Sequence, residues 1–145
     1  MEIEGYLFPD DLYYHKEHYW AKVEGNIVTM GTSDFAQKLA GQIVYVELPT
    51  PGKTLEQGKP CGSLESGKWV GRIYAPISGK VESSNQALED TPELINESPY
   101  EKGWISKINA SNLQEELKNL IKGEALVEFI KSEIARVKKI GQEKK

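Results

Sequence analysis

The chain has 145 residues, enough for one folded unit that buries roughly two-thirds of the surface its unfolded form exposes. Hydrophobic residues at 39% and charged residues at 28% set it among ordinary soluble proteins and argue against a disordered or membrane-embedded chain. A net charge of −4 gives no general attraction to phosphate backbones or anionic lipid, so neither nucleic acid nor a membrane is an expected partner. The single cysteine, Cys61, has no partner for an internal disulfide, and with no secretory apolar segment the expected setting is a reducing cytoplasm.

Taken in chain order, residues 19–30 alternate around Gly25-Asn26 and predict a hairpin. Residues 32–39 predict a short helix capped by Thr32 or Ser33, with Phe35, Ala36 and Leu39 on its apolar face and Gly41 beyond its end. Residues 43–48 are β-branched and aromatic, end at Pro49, and lead into a turn-rich loop. Further short strands are expected over 61–64, 69–74 and 79–83, broken by Ala75-Pro76 and Ser78-Gly79. The stretch 86–100 is acidic and lacks periodicity, which reads as an irregular segment over one edge, and 103–108 returns as a strand. Leu113, Leu117, Leu120 and Ile121 then recur at helical spacing up to Gly123. Leu126, Phe129, Ile130, Ile134 and Val137 continue that period to Lys139, with Lys138, Lys139, Lys144 and Lys145 suited to a helix C-terminus. The whole, 1–145, is expected to be one domain, with a mainly β core over about 6–110 and a helical segment over about 111–140.

Chemistry concentrates in Leu64-Glu65-Ser66-Gly67-Lys68-Trp69-Val70-Gly71, where a lysine falls between two short β runs with glycine before it and three residues after it. A lysine in a turn is by default a solvated side chain. On a hairpin tip it is also open to a modifying enzyme, while the strands beneath fix its root. Acylation of its amine removes the positive charge.

Further blocks surround this lysine: His18-Tyr19-Trp20, the run Gly31-Thr32-Ser33-Asp34-Phe35-Ala36-Gln37, the run from Gly41 to Pro49, Glu65-Ser66-Gly67-Lys68, the run from Ala75 to Val81, and Gly103-Trp104-Ile105. Together they resemble the glycine-cleavage H-protein family over nearly the whole chain. Several ordered blocks in register are far more specific than one motif. The resemblance implies a flattened β-barrel or sandwich of two antiparallel sheets, of lipoyl/biotinyl hybrid type, with short helices and a C-terminal helical segment. It implies lipoic acid in amide linkage to Lys68, flanked by Glu65, Ser66, Gly67 and Trp69, with His18 and Arg72 in the surroundings of the arm. It also implies a non-catalytic carrier. In this family the arm passes an aminomethyl group between a pyridoxal-phosphate glycine decarboxylase, a folate-dependent aminomethyltransferase and dihydrolipoamide dehydrogenase, after lipoylating enzymes have installed it.

Two positions depart from the family pattern: Tyr19 stands where an acidic residue is usual, and Arg72 where Asp is usual. The run Glu-Ser-Gly-Lys-Trp-Val-Gly also resembles lipoate-binding carriers that serve heterodisulfide-reductase-like sulfur oxidation, where a cation such as Arg72 would suit anionic cargo. An unmodified interaction domain is a third reading. A biotin carrier fits less well, because Gly67 and Trp69, not methionines, flank the lysine. His15 and His18 form His-x-x-His with no further His and one Cys in the chain, so no metal site is expected. Cys61 reads as a small buried hydrophobe, Trp20 and Trp104 as core, and Trp69 as a half-exposed neighbour of the modified lysine or a partner contact. Glu89, Asp90, Glu93 and Glu97 read as a solvated acidic face.

Overall fold

The computed structural model describes the backbone of residues 1–143 and the side chains of residues 1–138; Lys144, Lys145 and the side chain of Lys139 lie outside it. Eleven strands are defined among these residues: β1 (Glu2–Ile3), β2 (Tyr6–Leu7), β3 (Tyr13–Tyr14), β4 (Tyr19–Glu24), β5 (Ile27–Thr32), β6 (Ile43–Glu47), β7 (Thr54–Leu55), β8 (Pro60–Ser66), β9 (Val70–Tyr74), β10 (Gly79–Ser84) and β11 (Ser106–Ala110). Helices are α1 (Asp34–Ala40), α2 (Ala87–Asp90), α3 (Leu94–Glu97), α4 (Leu113–Leu117) and α5 (Glu124–Glu143). A six-stranded sheet runs β3-β4-β5-β11-β10-β7, a three-stranded sheet runs β6-β8-β9, and β1-β2 form a separate ribbon. All pairings are antiparallel.

The period of two along each strand decides where the core lies. Ala21, Val28, Met30, Val81 and Ile108 of the larger sheet meet Ile43, Val46, Leu64 and Ile73 of the smaller, and all are buried in one cluster. Trp20, between Tyr19 and Ala21 on β4, faces the other way and joins a second cluster. That cluster unites the N-terminal Ile3 and Phe8 with Phe35 of α1 and with Leu126 and Ile130 of α5. Trp20 is 1% exposed, donates its indole N–H to the Pro99 carbonyl at 2.9 Å, and lies across the ladder from Gly31, where any Cβ would strike its ring at 2.6 Å.

The hairpin around Gly25-Asn26 forms as the alternation predicts, with Glu24 opposite Ile27. Helix α1 begins behind Ser33, whose Oγ accepts the Ala36 N–H at 3.1 Å. Its buried face is Phe35, Gln37 and Ala40, not Phe35, Ala36 and Leu39; Leu39 is exposed. The tertiary partner Asn96 turns the helix this way, because its amide donates to Gln37 Oε1 and draws that polar side chain inward.

The 86–100 stretch is not irregular: it forms the single-turn helices α2 and α3, which bury Leu88 and Ile95 completely. One turn offers one inward position, too few to show a 3.6-residue period. The last barrel strand starts at Ser106 and not at residue 103, since Gly103 is packed against the Leu94 and Ser98 carbonyls. The helix expected up to Gly123 stops at Leu117, because Ile121 is spent on an antiparallel bridge, donating to the Tyr14 carbonyl at 2.7 Å and accepting from its N–H at 2.9 Å. Helix α5 then runs past the expected end at Lys139 to Glu143.

Replacing Trp20 with Ala removes the ring that joins β4 to the second cluster and is expected to cost about 3–5 kcal/mol, against under about 0.5 kcal/mol for Leu39→Ser. Chemical denaturation of both variants checks this.

Candidate functional site

Strands β8 and β9 pair up to Glu65 opposite Val70, and the Ser66 N–H donates to the Trp69 carbonyl at 2.8 Å, so Gly67 and Lys68 occupy the centre of a tight turn. Ser66 is buried with its Oγ 3.4 Å from the Lys68 N–H, whereas Glu65, Gly67 and Lys68 are exposed. The hairpin is anchored by Leu64 and Ile73, which point into the core at 3% and 0% exposure. Across the tip lies Gly41, in the left-handed region at φ 83°, and a methyl group there would sit 3.1 Å from Lys68 Cε. Asn96 holds this opposing turn, donating to the Gly41 carbonyl at 2.8 Å and accepting the Ile43 N–H at 2.8 Å. The lysine stem therefore rests against bare backbone and its amine stays in solvent.

Beside the stem opens a cleft of about 390 Å³ between α1, the β4–β5 end of the larger sheet and the β8–β9 hairpin. Ala36, Leu39, Ala40, Ile43 and Leu64 give it apolar walls. Trp69 forms the lip: it is 42% exposed, and its ring covers Gly71 so closely that a Cβ there would fall 2.0 Å from the ring. Thr32 also lines the cleft, buried, with its Oγ1 lacking a hydrogen-bond partner among the described residues.

Tyr19 and Arg72, the two departures from the family pattern, meet here. The Tyr19 hydroxyl donates to the Arg72 carbonyl at 2.9 Å and ties the two sheets at the cleft floor. Burial pushes the Tyr19 phenol far above its ordinary value, so it stays neutral. Arg72 is exposed and borders both this cleft and a depression behind it that contains Cys61. Burial pushes the Cys61 thiol up to about 12, which leaves it a packed hydrophobe rather than a nucleophile.

His18 lies at the far end of the cleft, in the left-handed region at φ 72°, packed against Phe35 and stacked on Phe129 of α5 at 5.5 Å. Its Nε2 donates to Glu133 at 2.8 Å, and Glu133 in turn accepts from Arg136 at 2.9 and 3.1 Å. Hydrogen bonds from Arg136, helped by His18, hold the Glu133 carboxyl below the ordinary range against the opposing effect of burial. Burial holds His18 below the usual histidine value despite its carboxylate partner. His15 is separate, buried, with its Nδ1 accepting the Glu17 N–H at 3.1 Å. No cluster of three or more His, Cys, Asp or Glu able to hold a metal ion occurs among the described residues.

Of the expected site residues, Trp69, Arg72 and His18 line one cleft and Ser66, Gly67 and Lys68 form the hairpin turn next to Trp69, while the Glu65 side chain lies on the outer face of the hairpin sheet. Sequence reasoning missed Arg136, which lines the cleft, Glu133, which bonds to His18 at its edge, and Asn96, hidden in the aperiodic stretch. Only the helical period over 126–137 hinted that α5 packs at all; nothing in it says where.

A sandwich that displays one lysine on a rigid hairpin beside an apolar cleft is the architecture of a covalent-arm carrier. A family model described as glycine cleavage H-protein matches residues 12–133. The probable glycine cleavage system H protein of Thermococcus gammatolerans is 47% identical over 133 residues, covering 91% of this chain and 98% of that one. The glycine cleavage system H protein of Staphylococcus saprophyticus subsp. saprophyticus is 49% identical over 122 residues, covering 84% and 96%. The crystal structure of a glycine cleavage system H protein from Mycobacterium marinum superposes with a TM-score of 0.69 at 30% identity, covering 77% of this chain and 97% of that one. The chain belongs to the glycine cleavage H-protein family.

His18 gives the site a pH signature. Its folded value lies below the unfolded one, about 6.5, so the unfolded state takes up the proton first and stability drops as pH falls from about 6.5 through the folded value. His15 acts in the same direction, and Glu133 extends the loss at more acid pH. The melting temperature is expected to fall between about pH 7 and 5, and less steeply in His18→Asn than in the parent chain. Thermal melts followed by circular dichroism across that range check both.

Proposed function

We propose that Lys68 carries lipoic acid in amide linkage and that the chain works as the mobile carrier of a glycine cleavage system. It would serve a pyridoxal-phosphate glycine decarboxylase, a folate-dependent aminomethyltransferase and dihydrolipoamide dehydrogenase in turn. The observation that carries this is the exposed Lys68 amine at the centre of a two-residue turn, its stem against Gly41 and its root fixed by a buried hairpin. Family membership supports the same reading.

The cleft fits such a group. An alkyl chain ending in a five-membered disulfide ring is apolar along its length, and Leu39, Ala40 and Trp69 are among the residues that line the cleft. The buried Thr32 hydroxyl, without a partner among the described residues, would be satisfied by a polar atom entering from outside. When bound, lipoate supplies a cyclic disulfide that exchanges readily with thiols and so accepts a fragment or two electrons. The protein's own residues hold and shelter: Tyr19 keeps the sheets at fixed spacing, Trp69 forms the lip, and the Glu133–His18 contact fastens α5 over the far end. Tethering raises the effective concentration of the reactive end at each partner's site. The sulfur-oxidation and unmodified-domain readings gain no support from the relatives, which are named as glycine cleavage H proteins. None of the helices among the described residues is long and apolar enough to cross a membrane. With its free, buried Cys61, the chain suits the reducing cytoplasm we propose for it.

Protein from its native host is expected to weigh one lipoyl group more than its amino acids, with the addition located on Lys68 by fragmentation. Lys68→Arg should abolish it completely, and an unmodified native chain alongside active partner enzymes would refute the proposal. Thr32→Val separates arm shelter from folding. Loss of an unpaired hydroxyl should leave the unmodified chain as stable or more so, while the attached ring reacts roughly two to ten times faster with a water-soluble phosphine.

A further inference from the structure

Gly71 is bare for a reason that its own backbone does not supply. It lies outside the left-handed region, so its conformation admits a side chain, yet the three atoms nearest a Cβ built there all belong to the Trp69 ring, the closest at 2.0 Å. Gly67, on the other side of Lys68, would meet nothing within 4 Å. The two glycines therefore do different work: Gly67 frees the turn, and Gly71 makes room for an indole.

The sheet fixes where that indole lies. Gly71 pairs with Leu64, whose side chain is buried on the inner face of the β6-β8-β9 sheet, and Trp69, two residues before Gly71, falls on the same face. The ring occupies the inward place that a side chain at 71 would take. It is only partly covered there, since Trp69 lines the cleft and remains 42% exposed. A broad apolar surface is thus held open beside Lys68, the residue that precedes it.

Reach decides which part of an acylated lysine meets this surface. The Lys68 stem leans on Gly41, and a chain joined to its amine by an amide continues with methylenes before any terminal group. Those first methylenes are the atoms that a neighbouring side chain can touch. The far end of such a chain travels on to the buried residues Tyr19 and Thr32, which face each other across the β4–β5 ladder and also line the cleft.

We infer that Trp69, seated on Gly71, is the positioning residue of the arm: its open face packs along the alkyl stretch next to the amide and holds the chain in the cleft between deliveries. The inference rests on the lipoyl reading of Lys68. The ligand class is a medium-length acyl chain, because methylenes against an indole gain burial whatever group ends the chain. Trp69 thereby sets how often the reactive end stands in solvent, and a partner enzyme must draw the arm away from it.

The test uses the full chain, acylated to completion with a bacterial lipoate ligase, lipoate and ATP, and checked by intact mass. Nuclear Overhauser contacts between the indole protons of Trp69 and the arm's methylenes are expected in the lipoylated chain and equally in one carrying octanoate. Reduction of the attached ring by a water-soluble phosphine should be roughly three to ten times faster in Trp69→Ala than in the parent, and faster to a similar degree in Gly71→Ala, which keeps the indole but evicts it from its seat. Trp69→Phe should stay within about two-fold of the parent, as should Val70→Ala, whose side chain lies on the opposite face of the strand. Melting temperatures of the unacylated variants should be nearly unchanged; if Gly71→Ala melts early, Trp69→Ala and the indole contacts decide. A parent-like rate in Trp69→Ala or in a stably folded Gly71→Ala, or the absence of indole–methylene contacts, overturns the inference and leaves the lipoyl reading intact. No attachment to the parent chain at all sinks the lipoyl reading, and this inference with it.

Discussion

The β8–β9 turn can root a swinging arm only because the hairpin beneath it is immobile. A side chain that ranges widely gives no positional information unless its Cα is fixed, and here the fixing is done by burial. Leu64 and Ile73 are sunk in the core on one side of the turn, the Ser66 N–H closes it onto the Trp69 carbonyl, and Gly41 supports the lysine stem from across the gap. Mobility is confined to the lysine and whatever it carries.

That constraint orders much of the remaining structure. Gly41 supports the stem because Asn96 holds its turn, and Asn96 is in place because Leu88 and Ile95 bury the two single-turn helices beside it. Tyr19, reaching from β4 to the Arg72 carbonyl, keeps the hairpin sheet at a set distance from the larger sheet and thereby sets the cleft floor. On the far side α5 packs Leu126 and Ile130 under Trp20 and brings Glu133 to His18. A helix from the end of the chain thus completes a site whose lysine lies near its middle.

The two departures from the family pattern take on a structural meaning. With Tyr19 neutral and engaged with backbone, and Arg72 exposed at the edge, these two positions add no carboxylate to the cleft, whose walls are apolar along Leu39, Ala40 and Leu64 and polar at Glu17, Thr32 and Arg136. Shelter here depends on exclusion of water and on fit.

The sequence alone determined most of the central strands, because alternation along β4 and the β-branched, aromatic run of β6 are local signals that no distant residue alters. It also determined the candidate lysine, since a glycine-flanked turn between strands and the blocks around it are contiguous in the chain. Tertiary structure decided the rest, for physical reasons. Gln37 is buried and Leu39 exposed because Asn96, 59 residues away from Gln37, offers a hydrogen bond that outweighs the helix's own apolar pattern. Residues 86–100 fold into helices because Leu88 and Ile95 find places in the core, which no period reports. The 111–123 helix is cut short because Ile121 pairs with Tyr14. Glu133 meets His18 across 115 residues, a distance over which only packing, and no spacing rule, brings two side chains together.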